Sequence, residues 1–114
     1  MVKFSPQDVI DRARAARNRA DQALKVARTR AEKQKAQRQR REAVKAIDEA
    51  KAIKKRIKTL NSEKKKATNE VSARRKEKEI DELRKKASTK GRIVVGLKGK
   101  INKGIDDTLK KWGL

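Results

Sequence analysis

From Pro6 to Thr89 the chain runs for 84 residues with no glycine and no second proline. The stretch is rich in Ala, Lys, Arg, Glu and Gln, the residues that lose least on entering a helix. Drawn as one straight helix it would be a rod of about 126 Å, at about 1.5 Å per residue. The expected fold class is therefore all-α: a long helix, or a helical hairpin or coiled coil, with a short amphipathic C-terminal docking tail. Residues 1–5 form a lead-in with an N-cap, residues 6–89 the basic rod, and residues 90–114 a tail punctuated by five glycines.

The rod's start is written in local chemistry. Ser5 can accept a hydrogen bond from a free backbone N–H, Pro6 suits the first helical position, and Asp8 can reach back to the cap. Phe4 is placed to pack on Val9 or Ile10. The rod's end is expected at Ser88-Thr89-Lys90-Gly91, with Gly91 as the residue beyond the C-cap.

What the rod can bury is limited. Between residues 6 and 89 there are twelve larger apolar side chains: four Val, five Ile and three Leu. That is little to set against the entropy of ordering so long a chain, so the helix is expected to need a partner, either another helix or a polyanion. Small residues recur at Ala13, Ala16, Ala20, Ala23, Ala27 and near Ala31 at the three-four spacing of a helix–helix seam. A second seam runs through Ala43, Ala46, Ala50, Ile53, Ile57, Leu60, Lys64, Ala67 and Val71. It is two residues out of phase with the first, which would disturb a continuous supercoil. Breaks are expected near residues 32–42, where Ala36 is the one apolar residue, and near 61–69, at Asn61-Ser62 or Thr68-Asn69.

The tail differs in kind. Ile93, Leu97, Ile101, Ile105, Leu109 and Trp112 fall on one broad helical face, although Gly96, Gly99 and Gly104 weaken a free helix by about 1 kcal/mol each. These six residues are the expected protein-docking face. Fold-back onto Ile53, Ile57 and Leu60, or a membrane interface, are the alternatives.

Charge carries the functional reading. The chain holds 36 Lys and Arg against 15 Asp and Glu, a net charge of +21. Self-repulsion on that scale calls for a polyanion. The candidate nucleic-acid contacts are Arg12, Arg14, Arg17 and Arg19; Arg28, Arg30, Lys33 and Lys35; Arg38, Arg40 and Arg41; Lys54, Lys55 and Arg56; Lys64, Lys65 and Lys66; and Arg74, Arg75 and Lys76. Arginine can hold a phosphate bidentately, and lysine acts as a point charge. Aromatic residues make up 2% of the chain, so there is no stacking platform for single strands. Contacts are expected to follow shape and charge, without sequence preference.

Histidine, cysteine and tyrosine are absent. Acid–base or nucleophilic catalysis would rest on Ser, Lys or carboxylates that sit among cations at ion-pair spacing. Asp106-Asp107 is a weak metal pattern, and the glycines match no phosphate loop. No enzyme, cofactor or metal is expected. The expected function is a structural, sequence-nonspecific nucleic-acid-binding protein, DNA or RNA, that neutralises phosphates within a virion or other nucleoprotein assembly. Protein subunits of that assembly would hold the tail, and the chain itself could be a homo-oligomer. The alternatives are a helical scaffold or adaptor for other subunits, and a peripheral membrane protein anchored by the tail. With no apolar signal core at the N-terminus, an intracellular soluble or intravirion location is expected.

Overall fold

A computed structural model describes residues 4–113. It shows three α-helices: α1 over Pro6–Val26, α2 over Arg30–Lys66 and α3 over Glu70–Lys111. The connections at 27–29 and 67–69 are short, so neighbouring helices pack antiparallel. The all-α expectation holds, in the form of an elongated bundle of 66 × 24 × 16 Å. Its length matches α3, whose 42 residues span about 63 Å.

Each helix begins at a cap that satisfies its orphan N–H groups. Ser5 and Asp8 exchange hydrogen bonds in a full capping box, with the Asp8 N–H donating to Ser5 Oγ at 3.2 Å and the Ser5 N–H to Asp8 Oδ2 at 3.1 Å. Thr29 and Glu32 repeat the device at the start of α2. Asn69 opens α3, its side chain accepting from the Ser72 N–H at 2.7 Å.

The helices have unequal lengths, so the bundle has two cross-sections. Where α1 is present, three helices enclose a core. Val9, Ile10 and Ala13 meet Ile47, Ala50 and Ile53 and then Ala87 and Val94, with Phe4, Ala46, Ile57 and Leu83 at the margin. Further along, Ala16, Ala20 and Ala43 meet Leu97, Ile101 and Ile105, flanked by Ala23 and Leu109. The alanines let the α1 and α2 backbones approach closely, and the bulk comes from α3. Beyond the N-terminus of α1, α2 and α3 continue as a two-helix end around Leu60 and Ile80, both essentially buried.

Several expectations are corrected. The first break falls at 27–29, ahead of the expected 32–42. That polar stretch stays helical because its residues are strong helix formers, while Thr29 and Glu32 can cap a new helix. The two out-of-phase seams lie on separate helices, α1 and α2. The second break falls at 67–69, within the expected window, and Asn61-Ser62 remains helical and exposed. Val71, the last position of the second seam, is 62% exposed, and Lys64 leaves the seam to pair with Glu77.

The largest correction concerns Gly91. The helix does not stop there, and residues 90–114 are not a separate tail. A C′ glycine needs a positive φ, and among the described residues only Gly113 has one, at 71°; α3 ends there, with the Gly113 N–H donating to the Lys110 carbonyl at 3.2 Å. Gly91 serves packing instead. A Cβ at that position would stand 2.4 Å from Phe4 Cγ, so the bare backbone makes room for the ring. The Phe4 N–H also donates to Ser88 Oγ at 3.3 Å, tying the lead-in to α3.

The apolar face assigned to partner docking is consequently spent inside the chain. Leu97, Ile101 and Ile105 are buried against α1 and α2, and Leu109 packs on the same cluster. Trp112 is half-buried against the α1–α2 connection. Ile93 is 66% exposed and takes no part. The fold-back reaches α1 and the first part of α2; Val94 lies in the same core cluster as Ile47, Ala50 and Ile53, and Leu60 lies outside it.

Candidate nucleic-acid interface

The twenty candidate cations all lie on the surface; eighteen are exposed, and Arg17 and Lys76 are half-buried. The fold does not gather them onto one face, because they are distributed over all three helices and both ends. Some are already engaged. Arg40 pairs with Asp21 at 2.7 Å across α1 and α2. Arg56 pairs with Glu79 at 3.1 Å, Lys76 with Glu63 at 2.9 Å, and Lys64 with Glu77, all across α2 and α3. Arg74 pairs with Glu70 one turn away at 2.6 Å.

Among the described residues eight Lys or Arg side chains in all touch a carboxylate. With a net charge of +21, most cations face solvent with no opposing acid. Two arginines have other work. Arg12 lies over the Phe4 ring at 5.0 Å from its centroid and Arg28 over Trp112 at 5.1 Å, both within cation–π range.

The aromatic residues are therefore occupied within the fold. The Trp112 indole N–H donates to Glu32 at 3.3 Å, and Lys111 stands 5.2 Å from the same ring. Glu32 is correspondingly acidic. Backbone N–H donation from Thr29, then from Arg28, with Trp112 and Lys111 adding to it, holds its carboxyl down at about 2. Asp8 lies below the usual range through the N–H and hydroxyl of Ser5, and Glu63 and Glu77 through Lys76 and Lys64 respectively.

Concave surface on this bundle lies mostly between helices. Around Phe4, Pro6 and α3 a cavity of about 790 Å³ includes Asp8 and Asp81 in its wall. The groove beside Trp112 includes Glu32 and Asp107, and the α1–α3 groove around Asn102 includes Asp106. The α1–α2 groove differs. Its wall is Gln7, Ile10, Arg14, Lys51, Lys54, Lys55 and Lys58, with no carboxylate. It adjoins a second acid-free depression on α2, formed by Lys54, Ile57, Lys58, Asn61, Ser62 and Lys65.

Lys51 and Lys58 were not among the cations expected from the sequence. The signal was present as spacing: Lys51, Lys54 or Lys55, and Lys58 recur at three- and four-residue steps and so share one helix face. Selecting clusters of adjacent charges favours Lys54-Lys55-Arg56 and passes over its periodic neighbours.

No group of three or more acidic, histidine or cysteine side chains placed to hold a metal occurs among the described residues. None of the described helices is long and apolar enough to cross a membrane. No protein-family model, curated protein or solved structure matches the chain.

Proposed function

We propose that this protein is a non-enzymatic structural component that binds nucleic acid through its phosphates, without sequence preference, within a nucleoprotein assembly such as a virion. The observation that carries the reading is the imbalance of the surface charge. In a chain of net charge +21, eight cations among the described residues pair with carboxylates and most of the others face outward. A face serving solubility alone would interleave both signs. Base readout has no support, since Phe4 and Trp112 are held by their own chain.

Binding should be driven by counterion release, so the logarithm of affinity falls linearly with the logarithm of salt. Fluorescence anisotropy with labelled duplexes of unrelated sequence tests this: the affinities should agree with one another and fall steeply together as salt rises. Absence of binding at low salt, or strong preference for one sequence, contradicts the reading.

A second reading, a scaffold for protein subunits, is favoured by the exposure of Ile93 and Val95 on the outer side of α3. Nuclease treatment distinguishes the two, because an assembly built on protein contacts survives it.

A further inference from the structure

We propose that the α1–α2 groove, continued along α2 past the start of α1, is the seat for a duplex phosphate backbone; the inference rests on the nucleic-acid reading above and gives it a place. Three observations single out this groove.

Its wall carries Arg14, Lys51, Lys54, Lys55 and Lys58 and no acid, whereas the three grooves bordered by α3 each include at least one carboxylate. A phosphate entering any of those meets repulsion as well as attraction. Among the described residues none of these five cations touches a carboxylate. Lys54 donates to the neutral Gln7 amide at 2.6 Å, which steers its ammonium without cancelling its charge. The Gln7 amide is itself fixed by donation to Asp11 at 2.8 Å.

The cations are also in line. Lys51, Lys54 and Lys58 stand about one helical turn apart on a single face of α2, and Lys65 extends the row to about 21 Å. Asn61 and Ser62 lie between Lys58 and Lys65 in the adjoining depression. Both cost helix propensity there, and both offer uncharged donors of the kind that phosphate oxygens accept. α1 starts beside Lys54, as the Gln7 bond shows, so the row leaves the three-helix body and runs onto the open two-helix end. The occupant is a backbone and not unstacked bases, because no aromatic side chain borders either depression.

The test compares two variants of the full chain that remove equal charge. One carries Arg14→Gln, Lys51→Gln, Lys54→Gln and Lys58→Gln. The other carries Lys85→Gln, Lys100→Gln, Lys103→Gln and Lys110→Gln, all exposed on α3. Each is titrated with the same DNA duplex over a salt series, with helicity checked by circular dichroism. If the backbone seats in the groove, the groove variant's salt slope becomes shallower by about 3–4, since each phosphate contact contributes about 0.9. The α3 variant then changes by less than about 1. Should the fourfold groove variant lose helicity, Lys51→Gln with Lys58→Gln reads the same quantity with an expected change of about 2. Equal losses in the two variants overturn the groove and leave the nucleic-acid reading standing. Failure of the unaltered protein to bind the duplex overturns both.

Discussion

The three-helix body and the two-helix end are built from the same kind of sequence and held together differently. In the body, α1 closes the third side, and side chains such as Val9, Ala13, Ala20, Ala87 and Ile101 reach zero exposure. In the end, among the described residues, two helices bury only Leu60 and Ile80 to the same degree. Leu60 and Ile80 fill the seam, while Arg56–Glu79, Lys64–Glu77 and Lys76–Glu63 bracket it from outside. Ion pairs this exposed contribute little and are screened by salt. A third helix turns alanine-rich sequence into a core; without it, the same chemistry gives a seam edged by charge.

Emptying the core of each region should have the largest effect. Ile101→Ala removes a fully enclosed side chain from the body and should cost about 2–5 kcal/mol. Leu60→Ala should cost less, because the two-helix seam can close over the gap. Hydrogen exchange should show the Leu60 variant opening locally at the end, with body amides still protected. Equal costs with global opening in both would mean that the regions form one cooperative unit.

Glycine substitutions on α3 sharpen the contrast with opposite signs. Gly91→Ala places a Cβ 2.4 Å from Phe4. Overpacking of this kind costs about 1–3 kcal/mol, offset in part by about 1 kcal/mol of helix propensity. Gly96→Ala and Gly99→Ala meet nothing within 4 Å, and each should stabilise by up to about 1 kcal/mol. Urea unfolding measures all three. If Gly91→Ala stabilises as well, Phe4 is not seated against that backbone.

Acid separates the regions more gently. Lys76 and Lys64 hold the folded pKa values of Glu63 and Glu77, respectively, below the usual carboxylate range. A depressed carboxylate contributes stability that is present above its unfolded pKa and is lost as pH falls through its folded one. Protonation also adds positive charge to a chain already rich in it. Helicity of the two-helix end, followed by amide exchange, should therefore decline on acidification. Glu32, held at about 2, should keep its bond to Trp112 further into acid. Indole fluorescence checks this, and Glu32→Gln should abolish the acid step in that signal.

These contrasts also show which parts of the fold were legible in the sequence. Ser5-Pro6-Gln7-Asp8 announced α1 because a capping box is complete within four residues. Thr29-Arg30-Ala31-Glu32 has the same form and marks the true break, yet the polar run behind it is the more conspicuous feature and misplaces that break. Gly91 was legible as a helix stop only while local chemistry was considered. Its actual role depends on Phe4, a contact across more than eighty residues that no local pattern contains. The amphipathic face of Leu97, Ile101 and Ile105 was visible as a face in search of a cover, and periodicity alone does not say that the cover is the chain's own alanine seam. The candidate contacts were legible as charge and not as a place, since a groove exists only once α1 lies against α2.

The proposed function requires that this chain form its own bundle and that a phosphate backbone add to a fold already present. Thermal unfolding of nuclease-treated protein, followed by far-UV circular dichroism across a salt series with and without duplex, tests it most directly. The account predicts a helical, cooperatively melting protein without nucleic acid, whose midpoint rises with salt as self-repulsion is screened. At fixed low salt the midpoint rises further with duplex, as a ligand of the native state requires. A chain that gains its helices only when duplex is added, or a midpoint that duplex leaves unchanged, would contradict it.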